Sequence, residues 1–178
     1  MEHYSGPRHL FFTGTPGCGK STLILKIVRR LETPCTGFLT REIREKGKRA
    51  GFLVQTLSGQ KEVLAHRAFS GPPRVGAYGV DIEAFEKIAV PSMRPEGEDP
   101  VVVIDEVGKM ECLSTMFRKA LLRALDSEDR LLGTIAAKGN AFIEGIKKRK
   151  DVTLIRVTEK NRDMLVQKAL DFLYNARE

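Results

Sequence analysis

Apolar residues change their spacing several times along the chain, and each change predicts a new element. Residues 8–13 (RHLFFT) form a short apolar run closed by Gly14, which predicts a buried strand. From Lys20 the apolar positions fall at Leu23, Ile24, Ile27, Val28 and Leu31, one face of a helix over 20–31. Between 36 and 67 the period drops to two, through GFLTREIR, a turn at 46–48, AGFLVQTL, a turn at 58–60 and KEVLAH, which predicts an antiparallel meander. A Gly- and Pro-rich loop at 70–79 leads to Asp81, suited to cap a helix carrying Ile82, Phe85, Ile88 and Ala89, and 91–100 reads as a second loop.

The second half alternates strand and helix. Val101, Val102, Val103 and Ile104 are apolar without alternation, the mark of a strand buried on both faces, and they end at Asp105 and Glu106. Ser114 opens a helix with Met116, Phe117, Ala120, Leu121, Ala124 and Leu125 inward. Residues 131–137 and 152–157 predict two more strands, separated by a helix over 141–150 and followed by one over 161–174. The order predicts an α/β fold: a mostly parallel central sheet with helices on both faces, into which the meander at 36–67 is inserted after the first helix. The 178 residues, at roughly 150 per domain, predict a single domain over 1–178 with no repeat or linker.

Composition removes several function classes. With 42% hydrophobic and 30% charged residues the chain is neither disordered nor a disulfide miniprotein. No window approaches the ~18 uninterrupted apolar residues of a membrane span, and Met1, Glu2, His3 and Tyr4 do not begin a leader, so a cytoplasmic protein with no membrane partner is expected. Cys18, Cys35 and Cys112 contain no C-x-x-C pair, and His3, His9 and His66 are scattered, so neither a disulfide framework nor a zinc site is expected. The net charge of +7 favours phosphate-bearing partners. Sparse Asn and Gln beside heavy Lys, Arg and Glu usage suggest a thermophile.

The chemistry is concentrated in two segments. Gly14-Thr15-Pro16-Gly17-Cys18-Gly19-Lys20-Ser21 matches G-x-x-x-x-G-K-[ST] between a predicted strand and a predicted helix. Its glycines let successive N–H groups point at a phosphate at the positive end of that helix, with Cys18 contributing its backbone N–H. Lys20 is expected at the β- and γ-phosphates and Ser21 on Mg²⁺. The second segment delivers Asp105 to the carboxyl edge of the sheet, where ligands of open α/β sheets collect, and Asp105 there supports Mg²⁺. Glu106, one residue on, is placed to orient and deprotonate water. Asp105-Glu106-Val107-Gly108 also fits the D-x-x-G of GTP switches, but neither 136–140 nor 158–163 supplies N-K-x-D, so base-promiscuous binding is expected.

Further cations and one amide are candidates for the same site. Arg41, Arg44, Arg74, Lys109 and Arg162 are candidates to neutralise phosphate charge, and Asn161 and Arg162, after the last strand, to flank the base. Asn161 serves equally as a helix opener. The basic run 147–150 with the cations of 41–49 admits a nucleic-acid partner, although no aromatic residue interleaves with either cluster.

These residues resemble the small P-loop nucleoside-triphosphatases described from thermophiles, a family with a human relative, the cancer-related nucleoside-triphosphatase. The likeness covers almost the whole chain: GTPGCGKST at 14–22, TGFLTREIRE at 36–45, AGFLVQTLSG at 50–59, RVGAYGVD at 74–81, VVIDEVGKME at 102–111, LGTI at 132–135 and RKDVTLIRVTEKNRD at 149–163. It implies a RecA-like P-loop domain that hydrolyses ATP, GTP, CTP and UTP to diphosphates with Mg²⁺ and little base preference. The family's phosphate-binding segments fall on Gly14 through Ser21 and Thr22, and on Val102, Val103, Ile104, Asp105, Glu106, Val107, Gly108 and Lys109. A monomer acting on nucleoside triphosphates is expected. The rivals are a small-molecule or nucleoside kinase with its acceptor pocket at the meander and Arg74, and a nucleotide-gated nucleic-acid-binding module.

Overall fold

The unalternating run at 101 becomes the middle of the sheet. In the computed structural model, which describes residues 6–71 and 73–176, strand β7 spans Val101–Val107. Val101 and Val103 enter one core cluster while Val102 and Ile104 enter the cluster on the opposite face, so the strand has no polar side to offer before Asp105. The stretch before residue 6, read above for a leader and containing His3, lies outside the described residues.

The chain builds β1 (His9–Thr13), α1 (Lys20–Val28), β2 (Cys35–Glu45), β3 (Lys48–Thr56), β4 (Lys61–His66), β5 (Arg74–Val75), β6 (Tyr78–Val80), α2 (Ile82–Ser92), β7, α3 (Thr115–Asp126), β8 (Arg130–Ile135), α4 (Ala141–Lys147), β9 (Val152–Arg156) and α5 (Leu165–Asn175). Its strands form one sheet in the order β5-β6-β4-β3-β2-β7-β8-β1-β9. From β2 to β9 the pairings are parallel, and from β2 outward to β5 they are antiparallel. The meander is therefore continuous with the main sheet: β2 belongs to both halves, antiparallel to β3 and parallel to β7.

Helices cover both faces. Leu23, Ile24 and Ile27 of α1 pack with Val166, Ala169, Leu170 and Leu173 of α5 on one face, and Phe85 of α2, Phe117 of α3 and Ile143 of α4 lie on the other. Phe38 of β2 meets Phe85 and Phe117 edge-on at 5.4 and 5.9 Å, and those two rings meet each other at 5.4 Å. Each such pair contributes about 0.5–1.5 kcal/mol beyond its buried area. This triad clamps α2 and α3 onto β2 beside β7.

The elements depart from the sequence expectations in a few places. The 70–79 loop contains the β5–β6 hairpin, because β6 pairs with β4 and covers its otherwise open edge. Helix α2 carries Pro91 in its last turn, so the following loop starts later. Met116, expected inward, is 54% exposed, since the buried stripe of α3 is Phe117, Leu121 and Leu125 at i, i+4 and i+8, and Met116 stands off it. The last helix starts at Leu165, because Asn161 uses its side chain to close a turn.

Candidate active site

Helix α1, like α5 beside it, opens without a side-chain cap. Asp81, Ser114 and Asn140 each accept a first-turn N–H of α2, α3 or α4, whereas α1 opens on Gly19, which has no side chain to do so. Its first-turn donors are left to a ligand, at the positive end of the helix dipole. Gly19 has a φ of +101°, which L side chains rarely adopt, and a Cβ there would sit 3.2 Å from the Arg162 guanidinium. Lys20 folds back over the loop, donating to the carbonyls of Gly14 at 3.0 Å and Thr15 at 3.2 Å.

Across β8 from this loop stands the carboxylate pair. Asp105 is buried, and its Oδ1 accepts a hydrogen bond from Thr134 Oγ1 of β8 at 2.6 Å. Its Oδ2 is buried without a hydrogen bond of ordinary geometry. Burial pushes the Asp105 carboxyl upward, against the hydrogen bond from Thr134, the nearby Ser21 hydroxyl and the Lys20 charge, which favour the carboxylate. An orphaned carboxylate oxygen beside a serine hydroxyl could hold a small divalent cation such as Mg²⁺, which takes one or two protein oxygens and fills its shell with water and substrate phosphates. Among the described residues no group of three His, Cys, Asp or Glu side chains forms a closed metal cage, which that coordination does not require.

Glu106 is half-buried, and burial, then the neighbouring Asp105 charge, raises its carboxyl above the usual range. Glu111, in a short 3-10 turn at Glu111–Leu113, is fully enclosed. A Cβ at Gly108 would lie 2.7 Å from Glu111 Oε2 and 2.8 Å from Glu106 Oε1, so the two carboxyl groups converge on one spot. Burial first, and Glu106 second, push Glu111 up to about 8.

The sequence candidates divide by position. Gly14 through Thr22 form the loop and helix start, with the Cys18 side chain buried in the α1–α5 core. Val102, Val103, Ile104 and Val107 have no exposed surface, and the first three lead the strand to Asp105 at the edge. Gly108 is buried behind Glu106, and Lys109 is exposed beyond it. Arg162 lies over Gly19 and lines a cavity of about 160 Å³ with Thr22, Lys26 and Asp163. Asn161 spends its amide on the turn after β9, accepting from Thr158 N at 2.8 Å and donating to the Arg156 carbonyl at 2.9 Å.

Two arginines are elsewhere. Arg74 donates to the carbonyls of Phe69 and Ala77, both at 2.7 Å, on the sheet edge opposite β1 and the phosphate loop. Arg44 is held by Glu42 and the Gly47 carbonyl at the hairpin turn. In the basic run, Lys147 pairs with Glu144, and Arg149 with Asp126 and Asp151, so half of that positive patch is neutralised locally.

The model of the family described as NTPase matches residues 9–170. The chain belongs to this NTPase family. It is 42% identical to the nucleoside-triphosphatase THEP1 of Thermotoga sp. (strain RQ2), over 92% of this chain and 94% of that protein. It is 40% identical to the cancer-related nucleoside-triphosphatase of Homo sapiens, over 96% and 99%. The crystal structure of THEP1 from Aquifex aeolicus superposes with a TM-score of 0.86 at 33% identity, covering 93% of this chain and 98% of that one. The solution structure of the human protein gives 0.83 at 39%, covering 96% and 100%.

In this NTPase-family chain, two contributors to the site carry little sequence signal of their own. Thr134 is a lone hydroxyl in an apolar strand, and only the β7–β8 pairing brings it to Asp105. Glu111 stands between apolar Met110 and Cys112, and a charge in such a setting was the one available hint.

Proposed function

We propose that the protein is a Mg²⁺-dependent nucleoside-triphosphatase that cleaves the β,γ-bond with little regard for the base. The observation that carries the reading is the convergence, across β8, of the uncapped α1 terminus with Lys20 and Ser21 on one side and the orphaned Asp105 Oδ2 with Glu106 on the other. Backbone N–H groups of the loop and the Lys20 ammonium bind the phosphates, and the ammonium stabilises charge that grows as the bond breaks. Ser21 and Asp105 hold the metal, which when bound screens the phosphate oxygens. Glu106 orients water and accepts its proton, a duty suited to a carboxyl whose affinity for protons is raised.

Weak base preference is supported by what lies beside the loop. The Arg162 guanidinium offers a flat cationic face on which any base can stack, and stacking does not read base edges. The kinase rival loses support because Arg74, its proposed acceptor residue, is tied into the β5–β6 hairpin. The nucleic-acid rival loses support from the pairing of Lys147 and Arg149.

Phosphate release from ATP, GTP, CTP and UTP, with Mg²⁺, with chelator, and with added RNA or nucleoside acceptors, tests all of this. The four rates should fall within about tenfold, a spread of about 1.4 kcal/mol, and chelation should abolish them. A preference of about a hundredfold for one base, about 2.7 kcal/mol, overturns the promiscuous reading. Turnover only with an acceptor makes the protein a kinase.

A further inference from the structure

The hairpin of β2 and β3 is longer than the strand it leans on. β2 pairs with β7 from Cys35 to Leu39, the last pair being Leu39 with Asp105, and then continues to Glu45, paired among the described residues with β3 alone. Because β2 and β7 run parallel, this overhang stands above the edge at which Ser21, Asp105 and Glu106 converge. Thr40 Oγ1 donates to the Asp105 carbonyl at 2.6 Å and fastens the root of the overhang to the metal-binding segment.

Strand alternation decides which side chains face the phosphate loop. Leu39 is buried with Leu23 and Ile24 of α1, whereas Phe38 is buried on the α2–α3 face. Arg41, two residues past Leu39, therefore stands on the α1 face, about 7 Å further along the strand. That offset lifts Arg41 past the Asp105 edge, on the same face of the sheet as α1. The other arginines of the hairpin are engaged, Arg44 and Arg49 both on Glu42, while Arg41 is exposed and, among the described residues, makes no hydrogen bond or ion pair.

We propose that Arg41 contacts the γ-phosphoryl group during its transfer, supplied in cis by the overhanging hairpin. The proposal rests on the triphosphatase reading above. In that reaction the water oxygen bonds to the γ-phosphorus as the bond to the β,γ-bridging oxygen breaks. The water proton passes to Glu106, and the electron pair of the broken bond leaves with the diphosphate. Negative charge gathers on the bridging oxygen, and a guanidinium with several donors in a fixed fork holds that arrangement more tightly than the ground state.

The experiment compares wild type with Arg41→Ala, Arg41→Lys, Lys109→Ala and, from the same hairpin, Lys48→Ala. Turnover of Mg²⁺-ATP is measured beside the affinity for fluorescent ADP with Mg²⁺, alone and with aluminium fluoride, which mimics the phosphoryl group in flight. Arg41→Ala should lower kcat by about 10² or more, keep ADP affinity within about threefold and its melting midpoint unchanged, and lose the tightening that fluoride confers. Arg41→Lys should recover part of the loss, and Lys48→Ala should match wild type. The proposal falls if Arg41→Ala retains the fluoride-dependent tightening. It falls equally if Lys48→Ala loses as much, if ADP affinity or the melting midpoint drops along with kcat, or if the tightening depends on Lys109 instead. If wild type releases no phosphate from any nucleotide, the triphosphatase reading fails and takes this proposal with it.

Discussion

Replacing Glu111 with Gln should change how stability depends on pH. The carboxyl is enclosed, and its proton affinity is raised from the ordinary 4.5 to about 8 by burial and by Glu106. At 1.36 kcal/mol per pH unit that displacement corresponds to about 5 kcal/mol. Below pH 4.5 both folded and unfolded chains hold the proton, and nothing is lost. Between there and about 8 the folded protein keeps a proton that the unfolded chain has released, so each unit upward removes about 1.4 kcal/mol of stability. Above that window the loss is complete. Gln has the same shape and never ionises, so Glu111→Gln lacks this slope, while Glu106 titrates in both proteins and cancels to first order. Guanidinium unfolding of the two metal-free proteins from about pH 5 to about pH 9 measures the effect. The stability difference should shift in the variant's favour by about 2 to 3 kcal/mol between pH 5 and 7, and by about 4 kcal/mol between pH 5 and 9. Parallel stability curves across that range would refute the reasoning and return Glu111 to an ordinary carboxylate hydrated in solution.

The neighbouring carboxylates should separate. Glu106→Gln should lower kcat by ~10² to 10⁴ with nucleotide still bound, and Asp105→Asn should instead weaken Mg²⁺ and nucleotide binding together; one titration of each variant distinguishes them. Two glycines should respond with opposite sign. Gly37 in β2 has a φ of +105°, and a Cβ there would be 1.9 Å from the Val103 carbonyl oxygen, so Gly37→Ala should cost about 3 kcal/mol or more in a denaturant titration. Gly145 in α4 faces open space, and Gly145→Ala should stabilise by about 0.5–1 kcal/mol in the same assay.

How far the sequence reached depends on how local each cause is. The glycine loop was legible because its parts, a strand before and a helix after, all lie within residues 9–28. The buried run before Asp105 was legible because burial on both faces removes alternation, and β7 is indeed lined by core on both sides. The inward faces of α1 and α2 followed from their 3.6-residue spacing. Met116 misled because an apolar residue next to a buried stripe has the same hydropathy as one within it.

Partnership across the chain was invisible, since nothing in a residue's own neighbourhood encodes which strand comes to lie beside it. The pairing of β2 with β7 turns an apparent insertion into part of the main sheet and carries Arg41 past the Asp105 edge, while the antiparallel continuation carries Arg74 to the far edge. The β7–β8 pairing gives Asp105 its Thr134 partner, and the chain's return through the 3-10 turn puts Glu111 against Glu106. The sequence by itself therefore determined the loop before α1 and the carboxylate pair after the buried run, which are set by residues close in the chain. The tertiary structure alone decided which arginines, hydroxyls and further carboxyl groups stand near them, because strand order and register bring together residues that are far apart in the chain.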